Sequence, residues 1–186
     1  MSFFRERHQA EAAIRRFAHE AALVSDLRVL LERSIDVSLR HGKSRGAALF
    51  LARNGNFTPA HSTFATSNEI SENDPAILSM RTWHEPLDLD SLESALPGTL
   101  AIPMVVRGVL TGLLALGPKG GSEAYAPDER DAFASLAHAV GTAIDALQTA
   151  ALKREMARIL QDPASFEEAK AHLAAQFATG GGADAF

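Results

Sequence analysis

Ala47-Ala48-Leu49-Phe50-Leu51-Ala52 is apolar at odd and even positions alike. Successive side chains of a strand point to opposite faces, so this segment has no face to offer water. It reads as a central strand covered on both faces. Arg53-Asn54-Gly55-Asn56 follows as a turn of residues that tolerate positive φ. Phe57 to Ala65 is more polar, with Thr58, His61, Ser62 and Thr63, and reads as an exposed or edge strand. A second hairpin spans residues 99 to 117. Leu100, Ile102, Met104 and Val106 alternate on one arm, Val109 to Leu116 form the other, and Arg107-Gly108 is the two-residue turn. Pro103 has no N–H to give a ladder, so its flank should meet an edge, a bulge or solvent.

Around these strands the period changes to that of helices. Residues 5 to 24 are rich in Ala, Glu and Arg, and Ile14, Phe17, Ala21 and Val24 draw one narrow stripe. Ser25-Asp26 caps a second helix with Leu27, Leu30, Leu31, Ser34 and Ile35 on one side, and Gly42 stops it. Asp74-Pro75 opens a short helix through Met80 and Trp83. Asp90 and Glu93 have capping-box spacing. Gly117-Pro118-Lys119-Gly120-Gly121 is a loop, after which Pro127 opens a helix to about residue 160 with Asp128, Glu129 and Asp131 in or near its first turn. Its stripe, Phe133, Leu136, Val140, Ile144, Leu147, Ala151, Met156 and Ile159, is about 40 Å long at 1.5 Å per residue and outruns a small domain. Asp162-Pro163 caps a last helix to about Phe177, and Gly180-Gly181-Gly182 begins a loose tail.

Composition narrows the function classes. The 186 residues suffice for one cored domain, with 46% hydrophobic and 22% charged residues. A net charge of -5 and the lack of a Lys/Arg run leave no footprint for nucleic acid. There is no cysteine, which removes disulfides, thiolate metal sites and thiol catalysis. No apolar run reaches the roughly 20 residues that span a bilayer. The start, Met1 to His8, is too charged for a signal peptide, so the chain itself is expected to be cytoplasmic and not inserted in a membrane. Phe3-Phe4 running into Arg5, Glu6 and Arg7 reads either as a frayed helix start or as the place where a helix leaves the membrane in a longer parent.

The order helix, two strands, helix, hairpin, long helix resembles the GAF family. Two segments carry the likeness: Leu100 to Leu116, similar to the family's Ile-Pro-Leu strand, tight turn and Gly-containing strand, and Tyr125-Ala126-Pro127-Asp128-Glu129 with Phe133, Leu136-Ala137 and Ala143-Ile144, similar to its entry into the final helix. The likeness covers about residues 24 to 148. It implies an α+β fold, an antiparallel sheet with helices on one face, a small-molecule pocket on the other, and terminal helices that pair between protomers. The domain plan expected is a dimerisation helix at 1–24, a GAF domain at 25–148, and a helical extension with a tail at 149–186.

The subclasses of that family are separated by residues. Most bilin carriers and the family's free methionine sulfoxide reductases need cysteines, which are lacking here. The cyclic-nucleotide pattern Asn-Lys…Phe-x-x-x-Asp-Glu is broken, with Pro118 in the Asn place and Ala124 where the Phe should stand. A Lys119–Asp128 ion pair is expected to be structural and exposed. The histidines at 8, 19, 41, 61, 84, 138 and 172 form no metal motif, Asp88 to Glu93 lacks the spacing of a calcium loop, and no nucleophile or carboxylate pair stands out. No metal site is expected, and no cofactor is named.

The expected role is a non-catalytic sensory module, with a ligand-free dimerising or scaffolding domain as the alternative. The candidate ligand site lies between the sheet and the segment from Asn73 to Leu92, lined by Phe50, Phe64, Met80, Trp83, His84, Ile102 and Met104, with Trp83 as a plug over the core as the rival reading. The candidate homodimer interface is Ile14, Phe17, Ala21 and Val24 together with Leu147, Ala151, Met156 and Ile159.

Overall fold

The computed structural model describes residues 2–65, 68–121, 123–161 and 163–179. Five strands form one antiparallel sheet in the order β2-β1-β5-β4-β3: β1 (Ala47–Arg53), β2 (Asn56–Ser62), β3 (Leu87–Asp88), β4 (Leu100–Val106) and β5 (Val109–Leu116). The strand expected to be covered on both faces, β1, lies between β2 and β5, and its first five residues are all buried. β2 is the edge, as its polarity indicates, and it ends at Ser62, short of Ala65. Both hairpins close on two-residue turns with positive φ at each central residue: Asn54 at 48° and Gly55 at 85°, Arg107 at 51° and Gly108 at 77°. β3 pairs only with Leu100 and Ala101, so Pro103 sits on a stretch of β4 that β3 does not reach.

Register assigns every residue a face. Ala48 stands opposite Ala115, and Ala115 opposite Ala101; Leu49 stands opposite Leu114, and Leu114 opposite Ile102. One face is therefore Ala48, Phe50, Ala101, Leu113 and Ala115, and the other is Leu49, Ile102, Met104 and Leu114. The second face is covered by α2 (Leu27–Gly42), which packs on β1 and β2, and by the domain part of α4 (Pro127–Gln161), which lies against Met104 at Gly141. At Gly141 of α4 a Cβ would stand 3.0 Å from the Met104 Cβ, a measure of how closely the helix approaches β4.

The caps expected at two helices are present. The Asp26 carboxylate accepts from the Val29 N–H at 3.0 Å, and Asp74 accepts from the Ala76 N–H at 2.9 Å at the start of α3 (Pro75–Trp83). α2 runs to Gly42, but the left-handed residue that ends it is Lys43, φ 52°. The Asp90–Glu93 spacing heads no helix; residues 89–92 form turns and bends. A Pro at 97, a Gly at 98 and the return into β4 leave that segment no room for a helix.

α1 (Ser2–Ala21) stops three residues short of Val24 and lies on α2. Ile14, Phe17 and Ala21 are 1%, 3% and 0% exposed. The Arg33 guanidinium sits 4.8 Å over the Phe17 ring and its Nη2 donates to Glu20 Oε2 at 3.0 Å. That stripe is closed within the protomer, because α2 supplies the partner face, and only half-buried Val24 of the four is accessible.

The chain divides into two compact units, Met1–Asp145 and Ala146–Phe186. The second holds the distal part of α4 and α5 (Pro163–Thr179). Leu147 and Ile159 are half-buried, Ala151 is exposed, and Leu152, Met156 and Leu160 are exposed by 63%, 55% and 70%. The expected cap Asp162 and the glycine run from Gly180 lie outside the described residues. Among the described residues no helix is long and apolar enough to cross a membrane.

Gly141→Leu tests the helix-on-sheet contact. The added side chain must push α4 away from Met104, and we expect a loss of about 1–3 kcal/mol. Urea unfolding should show it as a lowered midpoint with an unchanged slope.

Candidate functional site

The sheet face away from α2 and α4 is the candidate site, because a separate segment of the chain has to cover it. Residues 70–99 run across it as a lid. Ile70, Ala76, Ile77, Met80, Leu89 and Leu96 from the lid form one buried cluster with Ala48, Phe50, Phe57, Ala101, Leu110, Leu113 and Ala115, and Phe64, Leu87, Leu92 and Val105 pack around it.

Polar groups hold the lid at its margins. Asp74, 8% exposed, accepts from the Ala76 N–H and from Ser94 Oγ at 2.7 Å through one oxygen, and from the Ala95 N–H at 2.8 Å through the other. One carboxylate thus caps α3 and ties together chain positions 21 residues apart. Phe57 and Ile70 exchange backbone hydrogen bonds of 2.8 and 2.9 Å, which fastens the lid's entrance to β2. Arg130, in the first turns of α4, donates to the Asp88 carboxylate on β3 and through Nε to the Tyr125 carbonyl at 3.2 Å. The lid therefore has a direct ionic contact with α4.

The expected ligand residues separate into three groups. Phe50, Phe64 and Met80 meet in the lid cluster. Ile102 and Met104 are fully buried, but on the opposite face beneath α4, since their strand parity is that of Leu114 and Gly112. Trp83 and His84 do not line the space. Trp83 is 71% exposed, and His84 is an exposed residue at φ 57° whose N–H donates to Met80 O and ends α3. Trp83 therefore fits neither expectation: the helix ends before its ring can turn inward, so it is neither wall nor plug.

A second polar site lies where β5 passes into α4. Lys119 pairs with Glu129, not with Asp128, and the pair is buried, not exposed. Nζ donates to the two carboxylate oxygens at 2.7 and 3.0 Å, with side chains only 9% and 11% exposed. The same carboxylate accepts from the Ala126 N–H at 2.8 Å. On the helix, Glu129 is the first-turn acid that turns inward, three residues ahead of buried Ala132. The Tyr125 hydroxyl donates to Gly117 O at 2.7 Å, and its ring meets Phe133 edge-on at 5.9 Å. Burial pushes the Tyr125 phenol above its ordinary 10.0; the Ser44 hydroxyl pulls it back and the Glu129 charge raises it further. A third feature is a cleft of about 470 Å³ at the α1–α2 elbow, lined by Glu20, Leu23, Val24, Ser25, Asp26, Val29 and Arg33. Among the described residues no three His, Asp or Glu side chains converge as metal ligands do.

No family model and no curated protein sequence matches the chain. Solved structures do. The GAF domain of a phosphoenolpyruvate-protein phosphotransferase from Coxiella burnetii is similar over 78% of this chain and 98% of its own, with a TM-score of 0.66 and 14% identity. The chain has the GAF fold. The GAF domain of a two-component sensor histidine kinase from Bacillus halodurans is similar over 69% of this chain and 99% of its own, with a TM-score of 0.55 and 14% identity. An enzyme shares the fold as well: the free methionine-R-sulfoxide reductase from Neisseria meningitidis, solved with its substrate, is similar over 77% of this chain and 91% of its own, with a TM-score of 0.59 and 13% identity. At these identities the likeness is one of GAF architecture.

The Lys119–Glu129 and Asp88–Arg130 pairs were not legible in the sequence. For Glu129 the usable signal was the acid-rich first turn, which does not say which acid points inward. Asp88 and Arg130 are 42 residues apart and carry no local pattern.

Three measurements follow. Asp74→Ala strips three donors of their acceptor and should cost about 1–3 kcal/mol, with amide protection lost first at Ala76 and Ala95 in hydrogen exchange. Lys119→Met leaves the Glu129 charge buried alone and should cost about 3–5 kcal/mol, much of which the double variant with Glu129→Leu recovers. The raised Tyr125 pKa also sets an alkaline limit. The unfolded phenol loses its proton first, so stability is full below about pH 10 and falls as pH rises toward the folded pKa. Tyr125 is the sole tyrosine, so phenolate absorbance reads it directly; Tyr125→Phe should remove that part of the alkaline decline.

Proposed function

We infer that the chain is a non-catalytic regulatory module that binds a small molecule at the lid face and passes the resulting change to α4. The contact that carries this reading is Asp88–Arg130, because it joins the element a ligand has to move to the helix that continues into the second unit. The magnitude suits a switch. With Arg130 26% and Asp88 59% exposed, the pair is worth at most about 1 kcal/mol, so modest binding free energy can break it. The sequence has no cysteine, and among the described residues no acid–base or nucleophile set accompanies the lid face, which supports regulation over catalysis although the fold also serves a reductase. The GAF domain found in a sensor histidine kinase supports the same direction. We place the module in the cytoplasm, consistent with a cysteine-free chain.

A second copy is the proposed partner. Leu152, Met156 and Leu160 fall at steps of four on distal α4, and burying each contributes about 1.5–3 kcal/mol. The interface thus reduces to the α4 end of the expected pair of stripes, with half-buried Leu147 and Ile159 beside it.

The scaffolding alternative has one observation in its favour. The lid's own Ile77 and Met80 already occupy the sheet face. A domain of that kind would pair through α4 and bind nothing.

Hydrogen exchange on the whole chain distinguishes the two. Asp88→Asn and Arg130→Gln should each speed exchange in residues 74–99 and in the first turns of α4 together, with non-additive effects in the double variant. Exchange that changes in one of those regions and not in the other refutes the relay. Light scattering should return a dimer, converted to monomer by Met156→Glu with Leu160→Glu; a wild-type monomer at micromolar concentration refutes the pairing.

A further inference from the structure

Trp83 is the chain's one tryptophan, and it stands 71% exposed at the last residue of α3. Ala76, Ile77 and Met80 take the inner side of that helix, so Pro75, Leu78 and Thr82 turn outward. Leu78 is 45% exposed and lies about 7.5 Å from Trp83 along the helix axis. Thr82, between them, donates its hydroxyl proton to the Leu78 carbonyl at 2.9 Å. The outside of the lid is thus an apolar strip that ends in a tryptophan. Exposed strips rimmed by polar groups mark protein-binding surfaces, and tryptophan is among the residues that carry most of the energy there.

The rim of this strip has one sign of charge. Between Glu69 and Glu93 the chain carries seven acids against one arginine. Asp74 is engaged within the lid, Glu72 lies 3.9 Å from Arg81, Asp88 holds Arg130, and Glu69 accepts from Asn56. Glu85, Asp90 and Glu93 are exposed and have no cation beside them among the described residues. All three flank α3. The chain leaves the helix at Trp83, turns at the αL residue His84, and returns to the helix start, where Asp74 accepts from Ser94 and Ala95. Nucleic acid or an anionic membrane would meet like charge here and be repelled. A cationic side chain meets three free carboxylates and, in Trp83, the aromatic face that holds a cation best.

We propose that the outer face of the lid docks a basic segment of a partner protein, with Arg or Lys over Trp83 and against Glu85, Asp90 and Glu93, and an aliphatic side chain on Leu78. The surface lies outside the lid, so docking there does not depend on a ligand beneath it. A second copy of this chain is the poorer occupant. Its adjacent, exposed Arg15 and Arg16 have the right charge. A contact from lid to α1, however, joins unlike surfaces and extends into open chains unless its rotation closes a ring.

The test uses the whole chain and a soluble helical peptide of Ala, Arg and Leu, with a twin that carries Glu in place of Arg. Neither peptide has a tryptophan, so the emission of Trp83 reports the docking face alone. The Arg peptide should shift that emission to the blue, and its twin should not. Added salt should weaken binding. By calorimetry, Trp83→Ala should weaken it at least about tenfold. Asp90→Asn with Glu93→Gln should weaken it and flatten its salt dependence. These side chains are exposed, so the variants should keep the wild-type unfolding midpoint; Leu78→Ser is a second apolar variant and should lose affinity as well. An emission unmoved by the Arg peptide at about 1 mM overturns the proposal. Equal binding of the Glu peptide, or a larger shift with phosphatidylglycerol vesicles, overturns the partner class. Assemblies that grow beyond a dimer, and stop growing in Arg15→Glu with Arg16→Glu, overturn it in favour of a second copy.

Discussion

A sheet whose central strands are apolar on both faces cannot stand with one face in water, and the rest of the molecule answers that constraint. β1, β4 and β5 bury most of the side chains they carry. One cover is helical, made by α2 and α4, and it brings long-range apolar contacts of ordinary core type. The other is a connection of about thirty residues with a single nine-residue helix in it. Covers built so differently differ in how easily they open. The helices pack along their length, whereas the lid rests on apolar side chains spread along a loop, only three of them buried on α3, and on a handful of polar ties at its margins.

Charge pairs do a separate task at α4. Glu129 anchors its start to Lys119 out of solvent, Arg130 reaches to Asp88 on β3, and Asp145 accepts two hydrogen bonds of 2.8 and 2.7 Å from Arg107 in the β4–β5 turn. The first is buried and costly to disturb, and it fixes where the helix begins. The other two are solvent-facing and individually weak. Their positions matter more than their strengths: one meets the lid, and the other meets the hairpin at the last residue of the first compact unit.

Local chemistry was well written in the sequence. Two-sided hydrophobicity at residues 47–52, the alternation through 100–106, the Arg107-Gly108 turn and the acids at 26 and 74 each act within a few residues, and each predicts its element. Relations between elements were not. Phe50 and Ile102 both read as inward, but which face each takes depends on register between β1, β5 and β4, and the structure puts them on opposite sides. Asp90 and Glu93 satisfy a spacing rule where the chain has no length left for a helix. Trp83 reads as interior because tryptophan is large and apolar, but the αL residue after it ends the helix and the ring lies outside. Of the expected ligand set, Phe50, Phe64 and Met80 share one cluster because burial and proximity in the fold coincide there.

The α1–α2 seam bears on how this protein can be divided. By sequence alone, position 24 looks like a natural boundary between a helical arm and a globular body. In the folded chain, Ile14, Phe17 and Ala21 are as deeply covered as the sheet itself, and Arg33 reaches across to both Phe17 and Glu20. A fragment started after Val24 would lay bare the flank of α2 along Arg33 and its apolar neighbours, a surface of the kind that drives self-association. The arm is thus a structural part of the body it precedes, and any excised version of the domain has to carry it.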